Sequence, residues 1–333
     1  GELLRTFIAM AKQNVFRVLR IIVGLGLIGY LLATTDLGEL MVVLRAWRGE
    51  YFVLAVLLGL LRNVVFSYRW KVTLSASGIK VSLVTLLRLY FVGAFFNLFL
   101  PTALGGDVVR GYGLVRRLEE KLNAVTSVLV ERIVGFFALV CIALLALFLG
   151  HQVIQEVSVT TFIITLCLAY FILALLILDN RVMSWLVARA QPIRFWNFGA
   201  RLQQGYAVLR QFTGHKAMLG QSFLLSLVSQ TLAILAIWCL ALTISLNVTL
   251  LYFFMVVPMI WIITMIPISV NGLGLREGAY VFFFTRASVS EPAALLLSFL
   301  NSAQMLVLGL IGGVIYLIGQ MVASPMVEQP SSS

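Results

Sequence analysis

The chain has 333 residues, of which 61% are hydrophobic and only 11% are charged, and its formal net charge is +11. Soluble domains carry about 25% charged residues, and one core could not bury this much apolar surface. The composition therefore excludes a soluble globular protein. Backbone polar groups inside a bilayer must bond within their own segment, and the long continuous apolar runs are typical of helices, not of alternating barrel strands. We expect an all-α polytopic membrane protein.

Apolar runs between charged breaks predict six full transmembrane spans in chain order. They lie near residues 18–35, 51–74, 121–150, 157–179, 217–247 and 293–322. Two further apolar stretches, about 83–100 and 250–266, each lead directly into a polar segment interrupted by proline and glycine.

The distribution of basic residues orients these spans, because cytoplasmic loops carry an excess of lysine and arginine. The amino terminus is basic, the loop 36–50 is balanced, and residues 180–216 contain six basic residues and no acidic one. The charges of these segments are consistent with their predicted sides of the membrane if 83–118 and 250–290 are re-entrant hairpins, each of which enters and leaves the membrane by the same face. We therefore expect both termini to be cytoplasmic, with eight full spans as the alternative topology.

The two hairpins share a pattern that indicates an internal repeat. Residues 101–110 and 267–276 both read P-x4-G-x3-R, 166 residues apart, and the same interval superposes the flanking spans. Each half, about 18–150 and 157–322, would hold three spans and one hairpin. An odd number of crossings inverts one half relative to the other, which is a recurring plan of transporters. We expect residues 1–322 to form a single membrane domain.

Residues 181–216 are expected to form a basic, aromatic amphipathic helix on the cytoplasmic face. Such a surface suits an anionic leaflet, although a simple anchor joining the two halves is the alternative. The arginines expected to contact anionic lipid are Arg181, Arg189, Arg194, Arg201 and Arg210.

The first hairpin is predicted to contain a broken helix whose restarted end forms an anion site. Pro101 lacks a backbone donor, and Gly105 and Gly106 admit backbone angles that other residues avoid. We expect Asp107 to cap the restarted helix and Arg110 to lie one turn further on. A helix N-terminus beside a guanidinium suits a phosphate, whereas a bare Asp107–Arg110 pair that only neutralises itself is the alternative.

The second hairpin offers the same parts, and a charged pair early in span 121–150 extends the predicted site. Glu131 would act as a counter-ion or proton acceptor in a cavity with Arg110, unless it lies at the interface. Arg62 and Arg69 share one face of span 51–74, and they either line that cavity or mark the cytoplasmic half of the span. The residues expected to contact a headgroup are Asn97, Gly105, Gly106, Asp107, Arg110, Glu131, Arg132, Asn271, Gly272, Gly274, Arg276 and Glu277.

The sequence gives no sign of a metal, a cofactor or a catalytic set. The three cysteines lie within apolar runs, the two histidines lie at segment ends, and no P-loop pattern is present. The positive charge falls mainly on predicted cytoplasmic segments, so we expect contact with anionic lipid and not with nucleic acid. A homo-oligomer remains open.

Three ordered motifs resemble the lysylphosphatidylglycerol synthase transmembrane family, which includes the flippase domain of the multiple peptide resistance factor. They are Asn97-Leu-Phe-Leu-Pro101-x3-Gly105-Gly106-Asp107-x2-Arg110, Glu131-Arg132 and Pro267-x3-Asn271-Gly272-Leu273-Gly274-x2-Glu277. The resemblance implies a lipid flippase of the bacterial or archaeal cytoplasmic membrane, moving an anionic or aminoacylated phospholipid or a glycolipid.

Two rival functions stand beside the one that the resemblance implies. These are a small anion or solute transporter and an accessory subunit of a glycolipid-synthesising enzyme. Residues 323–333 are too short to form the aminoacyl transferase domain of the resistance factor, so we expect a transporter and not an enzyme.

Overall fold

A computed structural model describes residues 47–76, 78–98, 105–115, 121–150, 214–265 and 272–321, with scattered single positions within 38–45 and 160–185. These described residues form eight α-helices and no strand, which confirms the all-helical architecture. The helices are α1 (Gly49–Ala76), α2 (Leu83–Asn97), α3 (Gly105–Val115), α4 (Lys121–Leu149), α5 (Lys216–Thr243), α6 (Leu250–Thr264), α7 (Leu275–Thr285) and α8 (Glu291–Met321).

Four of the described helices, α1, α4, α5 and α8, are long and apolar enough to cross a membrane. The shortest of them has 28 residues, which at 1.5 Å per residue is about 42 Å against a hydrocarbon core of about 30 Å. Their bounds lie within a few residues of four predicted spans. The predicted span 18–35, all but five scattered positions of span 157–179, the five arginines of segment 181–216 and the tail 323–333 lie outside the described residues.

The other four described helices are short and form two antiparallel pairs. Helices α2 and α6 have 15 residues each and α3 and α7 have 11 each, so each extends at most about 22 Å. In the α2–α3 pair, Gly106 lies against Asn97 and Gly113 lies against Leu89. In the α6–α7 pair, the hydroxyl of Tyr252 donates to the carbonyl of Phe283 at 2.6 Å.

Local sequence signals set the starts of these short helices. The Ser82 side chain accepts a hydrogen bond from the Thr85 N–H at 3.2 Å and so caps α2. Gly272 and Gly274 precede α7 with φ of 74° and 79°, a left-handed conformation that residues with a Cβ rarely adopt. The chain therefore turns sharply into α7.

The largest buried apolar cluster surrounds the α6–α7 pair. Phe253 and Met255 of α6 and Tyr280 and Phe283 of α7 are completely buried within it. The α2–α3 pair packs against a smaller cluster around Trp70. Large apolar side chains that face outward on the long helices suit contact with lipid tails; they include Leu57, Phe148, Leu224 and Leu310.

Candidate functional site

A cavity of about 380 Å³ lies where the two short helix pairs meet the four long helices. All eight described helices contribute side chains to its wall, including Arg110 from α3 and Arg276 from α7. The charged segments of the two predicted hairpins, 166 residues apart in the sequence, therefore face one cavity. Of the sequence-predicted site residues, those that line it are Asn97, Asp107, Arg110, Glu131, Arg132 and Arg276.

The other predicted residues that the structure describes do not line the cavity. Gly105 and Gly106 form the buried start of α3. Gly272, Gly274 and Glu277 shape the start of α7. Asn271, Pro101 and Pro267 lie outside the described residues.

The carboxylate of Glu131 forms the centre of the polar network beside the cavity. It is completely buried and accepts hydrogen bonds from Nε of Arg69 at 3.1 Å, Nη1 of Arg110 at 2.9 Å and the hydroxyl of Tyr90 at 3.0 Å. These donors belong to α1, α3 and α2, whereas Glu131 belongs to α4. One carboxylate thus ties the α2–α3 pair to two long helices, and it is enclosed by protein.

Arg69 fits between the long helices because small residues surround its guanidinium. A Cβ added at Gly135 would lie 3.2 Å from Nη1 of Arg69, so the absence of a side chain there leaves room for the charge. The same nitrogen donates to Oγ of Ser226 on α5 at 2.8 Å. Arg69 is therefore a connector between α1, α4 and α5.

Asp107 occupies a different position from the predicted one. Helix α3 begins at Gly105, so Asp107 is the third helical residue and not the cap. Its carboxylate accepts from Nε of Arg110 at 2.9 Å and pairs with Arg132 of α4. The Gly106 N–H is satisfied instead by Oδ1 of Asn97 at 3.2 Å. The end of α2 therefore caps α3, because the two helices approach closely at this point.

The close approach of α2 and α3 depends on two glycines. A Cβ on Gly106 would lie 2.6 Å from the carbonyl oxygen of Gly93, and a Cβ on Gly93 would lie 2.8 Å from that of Gly106. Both distances are shorter than any normal contact with a backbone atom. Glycine at both positions lets the two backbones touch and brings Arg110 against Tyr90, with the guanidinium carbon 4.3 Å from the ring centre.

The start of α7 is stabilised from within its own first turn. The Gly274 N–H donates to Oε2 of Glu277 at 2.6 Å, and Oε1 accepts from Nη2 of Arg276 at 2.9 Å and from Ser298 at 3.3 Å. Nη1 of Arg276 also contacts the sulfur of Met305 at 3.6 Å. The carboxylate of Glu277 therefore already has donors on both oxygens.

The two arginines aligned by the P-x4-G-x3-R pattern do not occupy equivalent positions in their helices. Arg110 is the sixth residue of α3, whereas Arg276 is the second residue of α7. The acids match instead, since Asp107 and Glu277 are each the third residue of their helix. The two arginines are therefore offset by four helical positions.

The cavity wall carries more positive than negative charges. Five arginines line it against two carboxylates, and a third carboxylate, Glu277, pairs with one of those arginines, leaving a formal excess of two positive charges. Such guanidinium groups suit an anionic ligand. Among the described residues, no three His, Cys, Asp or Glu side chains come together in a way that could hold a metal ion.

Arg62 and Arg69 both line the cavity, which is one of the two roles expected from their seven-residue spacing on one face of α1. Several further lining residues were not predicted, because isolated polar or aromatic residues within apolar runs are a weaker signal. They are Tyr90, Gln230, Trp261, Asn301 and Gln304.

Comparison with known proteins identifies the family. The family described as the lysylphosphatidylglycerol synthase TM region matches residues 17–313. A UPF0104 membrane protein of Methanothermobacter thermautotrophicus is 22% identical over 295 residues, covering 82% of this chain and 86% of that protein. Another UPF0104 membrane protein, from Methanocaldococcus jannaschii, is 30% identical over 129 residues, covering 38% of this chain and 37% of that protein. No solved structure matches the chain. Because the family match covers most of the sequence, the chain belongs to the lysylphosphatidylglycerol synthase transmembrane-region family.

Proposed function

We propose that this protein is a lipid translocase that binds a phosphate-containing headgroup in the central cavity and carries it across the membrane. The observation that supports this most directly is the cavity itself, where five arginines face one space inside an apolar helical bundle. A charged side chain at the centre of a membrane costs about 2.5–3.5 kcal/mol or more. Retaining five of them around one space is expected of a protein that handles a polar or anionic group there.

The wall of the cavity suits binding more than bond breaking. It combines guanidinium groups, amides such as Gln230 and Asn301, and the aromatic rings of Phe66 and Trp261. These groups can hold a phosphate and contact the first part of an acyl or glycerol chain. We therefore propose a transporter and not an enzyme.

An inverted repeat accounts for the arrangement of the helices. Helices α1 to α4 have 28, 15, 11 and 29 residues, and α5 to α8 have 28, 15, 11 and 31. The packing matches as well, since α2 lies on α8 as α6 lies on α4, and α1 lies on α8 as α5 lies on α4.

The direction of the two first helices supports inversion. The Arg48 N–H donates to the carbonyl of Thr243 at 2.8 Å, which joins the start of α1 to the end of α5. Near the other end, Arg69 donates to Ser226, early in α5. The equivalent helices α1 and α5 are thus antiparallel, as a two-fold axis in the membrane plane requires.

Two re-entrant hairpins follow from the same plan. The α2–α3 and α6–α7 pairs consist of helices that are individually shorter than the membrane core. Each pair is antiparallel, so its ends return to one face. We propose that both hairpins meet at the cavity, that both termini are cytoplasmic, and that rocking of the two halves opens the cavity to each leaflet in turn.

The headgroup in this mechanism is held mainly by side chains. The Gly106 N–H donates to Asn97, and the Gly274 N–H donates to Glu277, so these two helix-end donors already have partners. The guanidinium groups of Arg110 and Arg276 enter the cavity from opposite hairpins. They would guide the phosphate between the two halves by charge.

Translocation in proteoliposomes tests the proposal. Headgroup-labelled lipids in both leaflets would be quenched from outside, using the wild type, Arg276→Gln and the control Arg286→Gln. Arg286 follows α7 directly but is exposed and outside the cavity. We expect faster lipid movement with the wild type than in empty vesicles, a reduction of about tenfold with Arg276→Gln, and no change with the control. If vesicles with the wild type move lipid no faster than empty vesicles, the proposal is refuted.

A small anion transporter is the second candidate, and the cavity volume favours it. About 380 Å³ is enough for a free organic anion and lies near the lower end of ligand pockets, about 300–1,000 Å³. Uptake of labelled inorganic phosphate or glycerol phosphate by the same vesicles separates this candidate from lipid translocation.

A further inference from the structure

Arg62 differs from the other four arginines that line the cavity. Among the described residues, no carboxylate lies within ion-pairing distance of it, and its Nε is buried without a hydrogen-bond partner. Each of the other four pairs with an acid. Those ion pairs are Arg69–Glu131, Arg110–Glu131, Arg110–Asp107, Arg132–Asp107 and Arg276–Glu277.

Aromatic rings hold the Arg62 guanidinium at the wall of the cavity. Its central carbon lies 4.6 Å from the ring centre of Phe66, one turn further along α1, and 6.0 Å from that of Trp261 on α6. Cation–π contacts stabilise the charge but supply no hydrogen-bond acceptor, and the buried Nε is left without one. The group is positioned and unsatisfied, as expected of one that binds an anion from outside the protein.

We infer that Arg62 is the ligand-binding cation of the cavity, and that the cavity selects a headgroup with net negative charge, namely a phosphate ester without a compensating amine. This inference rests on the proposed function and narrows it. The other arginines keep their carboxylate partners and supply a positive surrounding. Arg62 alone supplies a complete guanidinium fork, the geometry that best matches two phosphate oxygens.

The charges of the wall argue against an aminoacylated headgroup. A lysyl ester would bring ammonium groups into a space that already has two excess positive charges. Those groups would need a carboxylate, but Asp107, Glu131 and Glu277 are each already paired with arginine. A bound ammonium would have to share one of these carboxylates with the arginine already paired to it, whereas a phosphate at Arg62 disturbs none of these pairs.

The volume of the cavity also limits the headgroup. At about 380 Å³ it accommodates a group of the size of phosphoglycerol, near the lower limit of about 300 Å³ for small-molecule pockets. An oligosaccharide carried on a lipid phosphate would extend beyond this space. The size and the charge therefore both favour a simple anionic phospholipid.

Binding of defined lipids by the purified full chain in detergent tests this inference. The probes are phosphatidylglycerol, lysylphosphatidylglycerol and phosphatidylcholine, with soluble glycerol phosphate as a fourth probe. The variants are Arg62→Gln, Arg62→Lys and the control Arg88→Gln, because Arg88 is an exposed arginine of α2 outside the cavity.

We expect the wild type to bind phosphatidylglycerol about tenfold more tightly than the lysyl ester or phosphatidylcholine. Arg62→Gln should weaken phosphatidylglycerol binding by about tenfold, and Arg62→Lys by less, since the charge remains and the fork is lost. Arg88→Gln should bind as the wild type does. Because Arg62 has no ion pair to lose, Arg62→Gln should unfold at the same temperature as the wild type or higher, which separates lost binding from lost folding.

Three results would overturn the inference: equal phosphatidylglycerol binding by Arg62→Gln and wild type, equal binding of the lysyl ester by the wild type, or no phosphatidylglycerol binding by the wild type. Glycerol phosphate binding as tight as that of the lipid would assign the same site to a soluble anion. The assay measures binding without transport. If lipid binding depends on Arg62 but the protein moves no lipid, the proposed translocation is refuted and the role of Arg62 stands. If Arg62→Gln leaves transport unchanged, the role of Arg62 is refuted and translocation stands.

Discussion

Nη1 of Arg110 lies 2.9 Å from Oε2 of Glu131, and these side chains are only 4% and 0% exposed. This ion pair joins the short helix α3 to the long helix α4. Its charges balance each other before any ligand arrives, so Arg110 has a structural role as well as a place in the cavity wall. Removing one partner of a buried ion pair strands the other charge, which typically costs about 3–5 kcal/mol.

Glu131→Gln should be strongly destabilising. It removes the carboxylate that accepts from both Arg69 and Arg110, and although Arg110 keeps Asp107, Arg69 keeps no acidic partner among the described residues. We expect a loss of about 3–5 kcal/mol in the free energy of unfolding, measured in mixed micelles. The control Glu50→Gln removes an exposed carboxylate at the start of α1 and should cost less than about 1 kcal/mol. Equal losses in the two variants would contradict the central role of Glu131.

Tyr90→Phe should be destabilising to a smaller degree. The hydroxyl donates to Glu131 at 3.0 Å, and a hydrogen bond to a charged group is worth about 1.5–3 kcal/mol. The ring and its contact with Arg110 remain. Tyr68→Phe is the matched control, because Tyr68 is 48% exposed. Thermal unfolding of both variants checks this, and a melting temperature of Tyr90→Phe equal to that of the control would show that the hydroxyl contributes nothing.

Gly106→Ala should separate α2 from α3. The added Cβ would lie 2.6 Å from the Gly93 carbonyl oxygen, a backbone atom that cannot move without shifting its helix. We expect a destabilisation of about 1–3 kcal/mol. Gly278→Ala in α7 is the control, because its Cβ meets no atom within 4 Å. That variant should gain up to about 1 kcal/mol from helix propensity, so stabilisation by both variants would rule out the close approach.

The Arg276–Glu277 pair predicts a non-additive double variant. Glu277→Gln alone strands the charge of Arg276, whose side chain is 11% exposed. Arg276→Gln combined with Glu277→Gln removes both charges and should be more stable than Glu277→Gln alone, by about 1 kcal/mol or more. Unfolding of the two single variants and the double variant completes the cycle. Strict additivity would mean that the two side chains do not interact.

The sequence predicts the long helices accurately because a membrane span is a local property. Span 51–74 corresponds to Gly49–Ala76 and span 293–322 to Glu291–Met321. The length of an apolar run and the charges at its ends suffice for this, since the bilayer acts on each segment separately. The breaks between α2 and α3 and between α6 and α7 are also predicted from a local signal, because proline and glycine interrupt helices wherever they occur.

The sequence by itself therefore determines that this is a helical membrane protein with two interrupted segments that carry arginine. Only the tertiary structure decides what each charge does. Arg69 meets Glu131 across 62 positions and Ser226 across 157 positions, and no local pattern encodes such partners. The sequence favoured Arg110 and Arg276 as the anion-binding charges, but both have carboxylate partners, whereas Arg62 has none within the part of the chain that the structure describes. The side chains around a charge inside a membrane protein decide whether that charge is neutralised or left to bind a ligand. Those neighbours are determined by the packing of helices that are distant in sequence.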